Sequence, residues 1–312
     1  MIRISALALL LASCAGASVE RKALIIGIDG LRPGQLQAAV TPHIDAIVAN
    51  GAVSYVATNA WTPERAWNGH SATNWGVLLT GLSPATTDLT ANGDEDHRID
   101  DDGWSEGKHR SLFGHLKRHD PAIETAVFNT WSGIGMKPGT ILGSSHTVVD
   151  HHFSSEAETT SAERDVETVD ATFAALLEAD PDVIFLHLCQ CDSAGHSHTY
   201  EDPRYRAAIE NVDALVGRVM EALAIRAQDH HESWLVLITT DHGGESDSTG
   251  HGDNSLELVH TIPFIVSAEE IADGADIGTP SLYDVTPTVL SWMGVDPGVP
   301  LDGGAVLPLA DT

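Results

Sequence analysis

Five short apolar runs punctuate the chain: "ALIIGI" (23–28), "TAVF" (125–128), "DVIFLHL" (182–188), "WLVLIT" (234–239) and "IPFIV" (262–266). They are continuous rather than alternating, which predicts strands covered on both faces. Segments of helical period lie between them. "QLQAAVTPHIDAIVAN" follows the first run and is split by Pro42, whose ring cannot continue a helix. "SAERDVETVDATFAALLEAD" precedes the third run, "RYRAAIENVDALVGRVMEALAIRAQ" the fourth, and "YDVTPTVLSWMG" closes the chain. Strand–helix alternation predicts an α/β fold, a three-layer α/β/α sandwich with a mainly parallel central sheet.

One segment breaks the alternation. "GDEDHRIDDDGWSEG" (93–107) is polar and flanked by glycine, and reads as an acidic inserted loop. Its carboxylate spacing does not match an EF-hand, so solvated surface is expected. The first residues, "MIRISALALLLASCAGA", combine Arg3 with an apolar stretch too short to span a bilayer. Its end, "LASC", resembles the lipobox of bacterial lipoproteins. That resemblance implies a signal peptide over 1–13, lipidation of Cys14 and a short tether over 14–22; an ordinary secretory signal cleaved after Ala15 or Ala17 is the alternative. An exported, periplasmic or cell-envelope protein is expected in either case, with membrane contact only through the lipid.

Of three cysteines, Cys189 and Cys191 remain in the body. Two positions apart on one strand end, they are poorly placed for a disulfide and read as buried or near-site thiols. The chain of 312 residues has 16 Lys and Arg against 45 Asp and Glu, a formal charge of −29. That excess disfavours nucleic acid as a bulk partner. It would also repel an anionic substrate unless positive charge, such as metal ions, gathers at the site. Oligomeric state has no signature in the sequence.

In open parallel sheets, ligands bind beyond the carboxyl ends of the strands. The first run delivers Asp29. The third delivers Asp192 and then His196, in "CDSAGHSH". The fourth delivers Asp241 and His242, with His251 following in "TTDHGGESDSTGHGD". Three Asp and three His at three strand ends form a donor set suited to Zn²⁺ and related ions.

These residues resemble the alkaline phosphatase superfamily, most closely its type I phosphodiesterase/nucleotide pyrophosphatase branch. "IGIDGLRPGQL" is similar to that branch's metal-binding opening strand, "TPHIDAIVANG" to its following helix motif, and "YDVTPTVLSWMGV…LDGG" to the superfamily's C-terminal end. The resemblance implies one catalytic domain over 23–312. In the superfamily a nucleophile lies ten residues before the Gly of a Leu-(Leu/Val)-Thr-Gly motif, and counting back from Gly81 reaches Ser71. A serine opening a helix also has a plain reading as an N-cap. His70 and Thr73 are its neighbours, but only Ser71 has the matching offset. Asn92, in "TGLSPATTDLTAN", aligns with a phosphate-contacting Asn, or is simply a turn residue in "NG".

The resemblance implies that Asp29, Ser71, Asp241 and His242 surround one metal and Asp192, His196 and His251 a second. The expected cofactors are two divalent ions, zinc foremost, and the expected partner is a small phosphoester. His260 is a rival to His251 and reads as a packed or near-site histidine, His198 as a residue behind the ligands, and Glu245 and Asp247 as facing solvent or standing behind the ligands. The chain departs from the branch at Thr73, often Pro; at Ser71, commonly Thr; and at Thr87-Asp88, usually His-Gly. The nearest alternative is a sulfatase of the same superfamily, but "SATNW" lacks the Pro and Arg that follow the modified residue there. A non-catalytic lipoprotein with a structural metal is the third reading, against which stand seven candidate ligands, a hydroxyl among them, where a closed site needs four.

Overall fold

The computed structural model describes residues 19–61, 69–94, 97–103 and 105–309. Cys14 and the signal-like segment lie outside them. β1 (Glu20–Ile28) is followed by α1 (Pro33–Ala38), α2 (Pro42–Ala49) and β2 (Ala52–Thr58). Then come α3 (Ser71–Thr80), α4 (Pro84–Thr87), α5 (Leu112–His119), β3 (Thr125–Asn129) and β4 (His151–Ser154). α6 (Ser161–Glu178), β5 (Val183–Leu188), α7 (Gln190–His198), α8 (Pro203–Asp229) and β6 (Glu232–Thr239) complete the parallel part. α9 (Glu257–His260), β7 (Thr261–Ser267) and α10 (Val285–Trp292) close the domain.

The seven strands form one sheet in the order β2-β7-β6-β1-β5-β3-β4. β1 pairs in parallel with both β5 and β6, while β7 runs antiparallel to β6 and to β2. Alternate residues of each central strand feed separate cores. Ala23, Ile25, Val183 and Phe185 pack on one face with Trp75, Leu78, Phe113 and Trp292. Leu24, Ile26, Ile184 and Leu186 pack on the other with Val169, Leu176, Ile209 and Val216. This is the expected three-layer sandwich. Each fully buried aliphatic or aromatic side chain contributes roughly 1.5–3 kcal/mol, so both faces of the sheet are heavily stabilised. Helix ends follow local chemistry: Thr160 and Glu163 form a reciprocal capping box on α6. Asp202 caps α8 ahead of Pro203.

Three differences from the sequence reading stand out. β2 and β4 were not anticipated, because "AVSYVAT" and "HHFS" mix polar residues into edge strands with incomplete burial. β1 begins at Glu20, so the chain joins the sheet inside the segment expected to be a tether. The 93–107 loop is not merely solvated. Asp101 accepts hydrogen bonds from Ser111 Oγ and Ser145 Oγ, both at 2.6 Å, and Asp102 accepts from the backbone of His146 and Thr147. Ile99 is buried beside them. These carboxylates pin the loop to the domain. Among the described residues, no helix is long and apolar enough to cross a membrane.

Candidate active site

Three adjacent parallel strands, β5, β1 and β6, end side by side, and their carboxyl ends carry the site. Asp29 follows β1, Asp241 and His242 follow β6, and Asp192 sits in the first turn of α7, directly after β5. Gly30 makes the juxtaposition of the β1 and β5 ends feasible. It has φ +67°, and a Cβ there would lie 2.9 Å from Asp192 Cα. The six Asp and His donors fall into two groups of three, Asp29–Asp241–His242 and Asp192–His196–His251, each with donor atoms within 4.8 Å of one another. The grouping matches the division expected from sequence.

The first group is fully buried. His242 Nδ1 faces the Gly243 carbonyl at 2.7 Å and must donate to it, which leaves Nε2 as a lone pair. That lone pair lies 3.2 Å from Asp241 Oδ2 and 3.5 Å from Asp29 Oδ1. Neither carboxylate oxygen has a hydrogen-bond partner among the described residues, although both are buried. Three acceptors facing one another without a proton between them is costly unless a cation sits there. Burial, then the Asp241 and Asp192 charges, holds the Asp29 carboxyl well above the carboxylate range. Burial, then Asp192, pushes Asp241 up to about 6, against the opposing pull of His251, the Ser71 hydroxyl and the Gly30 amide. The donor set therefore fits a divalent cation, and it gains most from one that accepts both oxygen and imidazole.

The second group is more open, with His196 exposed and Asp192 and His251 half-buried. His251 Nδ1 donates to the Gly69 carbonyl at 2.8 Å, so its Nε2 is also a free acceptor. It lies 3.1 Å from His196 Nε2 and 3.9 Å from Asp192 Oδ1. Asp192 Oδ2 is 3.4 Å from His196 Nε2. The two groups touch: the rings of His242 and His251 stack with centroids 3.6 Å apart at 9°. Burial, then His242, lowers His251 to about 4, which keeps it neutral and able to ligate.

Ser71 is the first residue of α3, with its Oγ 3.3 Å from His242 Nε2. It thus lies at a helix N-terminus beside the buried group, where backbone amides favour an anion. Asn92 Oδ1 accepts from the Ala72 amide at 2.9 Å. This anchors Asn92 beside the start of α3 and leaves its NH₂ available to donate. His70 occupies the N-cap position of α3 without a side-chain cap, and Thr73 is buried in the helix; neither joins a donor group. His260 stacks on Trp61 at 4.2 Å and its Nδ1 bonds to Asn254 O, so it is a packed residue. His198 lies in the last turn of α7, outside both groups. Glu245 ties its own loop together through Ser248 and Asp253, and Asp247 is exposed. Cys189 and Cys191 are free and buried, and burial pushes both thiols up.

Three supporting residues escaped the sequence reading. His187 Nε2 lies 3.1 Å from Asp29 Oδ2 and Trp75 Nε1 lies 3.4 Å from it. The Trp131 amide faces His187 Nδ1 at 3.5 Å, which places the His187 proton on Nε2, pointing at Asp29. Burial lowers His187 to about 3, so it is a neutral donor. Tyr200 OH donates to Asp192 Oδ1 at 2.8 Å. Such partners fix ligand orientation. His187 had a signal, as the one polar residue in an apolar strand. Trp75 reaches Asp29 because Gly27 leaves room for its ring: a Cβ at Gly27 would lie 2.6 Å from Trp75.

Sheet order and paired donor groups at the strand ends define an α/β protein with two candidate metal-holding groups. The chain belongs to the type I phosphodiesterase/nucleotide pyrophosphatase family, whose profile matches residues 23–265. The sequence is 32% identical over 146 residues to a 2,3-bisphosphoglycerate-independent phosphoglycerate mutase of Natronomonas pharaonis; the match covers 45% of this chain and 27% of the mutase. The chain thus spans about a quarter of the length of the curated relatives it matches. Its fold is similar to that of mouse ectonucleotide pyrophosphatase/phosphodiesterase 5 in complex with AMP, with TM-score 0.68 and 14% identity over 91% of this chain and 98% of that one. It is also similar to a 2-O GAG sulfatase, with TM-score 0.67 and 15% identity over 92% and 73% of the two chains. The fold is common to phosphoester and sulfate hydrolases, so the choice between them rests on the site.

Proposed function

We propose that the protein is an exported, two-metal phosphoester hydrolase, acting on phosphodiesters or phosphomonoesters through a covalent Ser71 intermediate. One observation carries the reading: the Ser71 hydroxyl stands at the start of α3 beside buried carboxylate oxygens of Asp29 and Asp241 that lack any partner among the described residues. Asp29, Asp241, His242 and Ser71 would hold one divalent ion and Asp192, His196 and His251 the other. When bound, the two ions, zinc foremost, supply the positive charge that favours the Ser71 alkoxide and offsets developing charge on the ester oxygens. While Ser71 is a hydroxyl, three carboxylates with two divalent ions would leave the centre positive, which attracts an anionic ester despite the acidic surface.

Ser71 Oγ attacks phosphorus in line. The Oγ–P bond forms as the bond from phosphorus to the leaving oxygen breaks; the serine proton passes to water and the leaving alkoxide takes a proton from water. Asn92, fixed by the Ala72 amide, donates its NH₂ to a phosphoryl oxygen as charge develops. A water then attacks phosphorus, the P–Oγ bond breaks, and Ser71 Oγ takes up the proton the water loses, which restores the hydroxyl. Tyr200, His187 and Trp75 hold the carboxylates in place throughout.

The test is Ser71→Ala assayed on bis(p-nitrophenyl) phosphate, p-nitrophenyl phosphate and p-nitrophenyl sulfate, with metal content measured in parallel. Loss of about 10³-fold or more in phosphoester turnover with metal retained is expected. Surviving turnover with metal bound overturns the nucleophile. Faster turnover of the sulfate by the wild-type protein favours the sulfatase reading instead. Export and anchoring rest on the "LASC" segment alone: Cys14→Ser should move the protein from the membrane to the soluble envelope fraction, and unchanged fractionation contradicts lipidation.

A further inference from the structure

Two of the three donors of the second group ride on one helix. Asp192 is the third residue of α7 and His196 lies one turn further on, so the first turn of α7 decides where both point. Ligand distances to a divalent ion tolerate only about 0.2 Å, so that turn must be held firmly. A helix leaves its first amides without partners inside the helix. Cys189, the N-cap of α7, offers them no side-chain bond.

The missing partner comes from α6. Asp165 Oδ1 accepts from the Cys189 amide at 2.8 Å and its Oδ2 from the Gln190 amide at 2.9 Å, across 24 and 25 residues of chain. Asp165 is fully buried. Burial raises its carboxyl, and the Cys189 amide, the Thr130 hydroxyl, and the Gln190 amide and side chain oppose the shift. These donors join the end of β3, α6 and α7 at one carboxylate. A second tie from the same end of α6 joins Ser161 Oγ to Ser193 Oγ at 2.6 Å, next to Asp192 in the chain. On the other side of the turn, the Leu188 carbonyl accepts from the Asp29 amide at 2.9 Å. The passage from β5 into α7 is thus gripped between the first donor group and α6.

Which amides Asp165 takes is what matters for Asp192. A carboxylate at the third position of a helix can fold back onto the N-cap amide. Asp284 does so in the 3-10 turn Leu282–Asp284, accepting from the Ser281 amide at 2.7 Å. Asp192 holds the equivalent position in α7, but Asp165 already occupies the Cys189 amide. The Asp192 carboxylate reaches outward instead, with Oδ2 3.4 Å from His196 Nε2 and Oδ1 3.9 Å from His251 Nε2.

We propose that Asp165 is a positioning residue for the second donor group: it caps α7 from outside and so frees the Asp192 carboxylate to ligate. The inference rests on the proposed reading of Asp192, His196 and His251 as a metal site.

Zinc titration of the metal-free full chain against a chromogenic chelator tests it, with His196→Ala identifying the binding step that belongs to the second group. Asp165→Asn keeps the side-chain shape but turns an NH₂ toward one of the two amides. It should weaken the His196-dependent step at least about tenfold and leave the other step unchanged. Thr130→Val removes one donor from Asp165 and leaves both amide bonds; it should weaken the same step to a lesser extent, and it reads the claim should Asp165→Asn not fold. Asp213→Asn is the control for a cap that is only structural. Asp213 Oδ1 accepts from the His43 and Ile44 amides at 3.1 and 2.8 Å and so caps α2, which carries no member of either donor group. Asp213→Asn should lower the unfolding temperature with both zinc steps unchanged. A His196-dependent step that neither Asp165→Asn nor Thr130→Val weakens overturns the positioning role. Equal weakening of both steps by Asp165→Asn, or equal weakening of the His196-dependent step by Asp213→Asn, overturns it as well. A wild-type titration with no His196-dependent step instead overturns the two-ion reading itself.

Discussion

The buried carboxylates at the strand ends should destabilise the metal-free protein, and Asp241→Asn should relieve that strain. Asp241 is raised from its ordinary 3.8 to about 6 by burial and by Asp192. Because its folded pKa is raised, the folded state gains from Asp241 fully below about 3.8, where both states are protonated, and loses that gain as pH rises through about 6. About two pKa units correspond to about 3 kcal/mol at neutral pH. Asparagine imitates the protonated acid at every pH, and its NH₂ can donate toward the orphaned Asp29 Oδ1. In chelator-treated protein at pH 7.5, Asp241→Asn should therefore unfold about 6 °C higher than wild type, given about 2 °C per kcal/mol for a domain of this size. The difference should vanish near pH 4. With divalent metal restored the order should invert, because only the wild-type site gains the full linkage stabilisation. Thermal unfolding followed by circular dichroism, at both pH values and with and without zinc, reads all four conditions. A lower unfolding temperature for metal-free Asp241→Asn at pH 7.5, or a gap that persists at pH 4, would refute the electrostatic account of the site.

Other expectations follow from the residues that support the ligands. Tyr200→Phe removes the hydroxyl that orients Asp192; metal affinity at one of two sites should fall by about 10–100-fold, read by competition with a chromogenic chelator, and unchanged affinity would contradict the role. Gly30→Ala forces a Cβ to within 2.9 Å of Asp192 Cα at φ +67°. The backbone conformation alone costs about 1–2 kcal/mol, so denaturant unfolding should show at least that loss, together with reduced metal content. His187→Leu removes one donor from Asp29 Oδ2 and should weaken metal binding at the buried group while leaving the Asp192 group intact, which two-step metal titration would resolve.

Much of this was legible in the sequence because continuous apolar runs mark strands covered on both faces, and in an open parallel sheet the carboxyl ends of the strands are where ligands bind. Asp29, Asp192 and Asp241 each stand within a few residues of a run, so their convergence followed once the runs were read as neighbours. His251 was legible as a candidate donor after the fourth run, but its place with Asp192 and His196 needed the family resemblance, since it reaches that group through a loop. β2 and β4 were hidden because edge strands carry mixed polarity. His187 and Tyr200 were hidden for a different reason. Their role depends on register: Gly27 pairs with His187 across β1 and β5, and Tyr200 turns back onto Asp192 after α7. The acidic loop misled because composition reports charge but not partners; Asp101 finds two hydroxyls, 10 and 44 residues along the chain.

The central claim is that Ser71 carries the phosphoryl group. Rapid acid quench of the metal-loaded protein during turnover of p-nitrophenyl phosphate, followed by peptide mass spectrometry, addresses it directly. The account predicts one added phosphoryl group on the peptide containing Ser71, localised to its Oγ and absent from Ser71→Ala. An unmodified Ser71 peptide during sustained turnover, or a phosphoryl group on another residue, would contradict it.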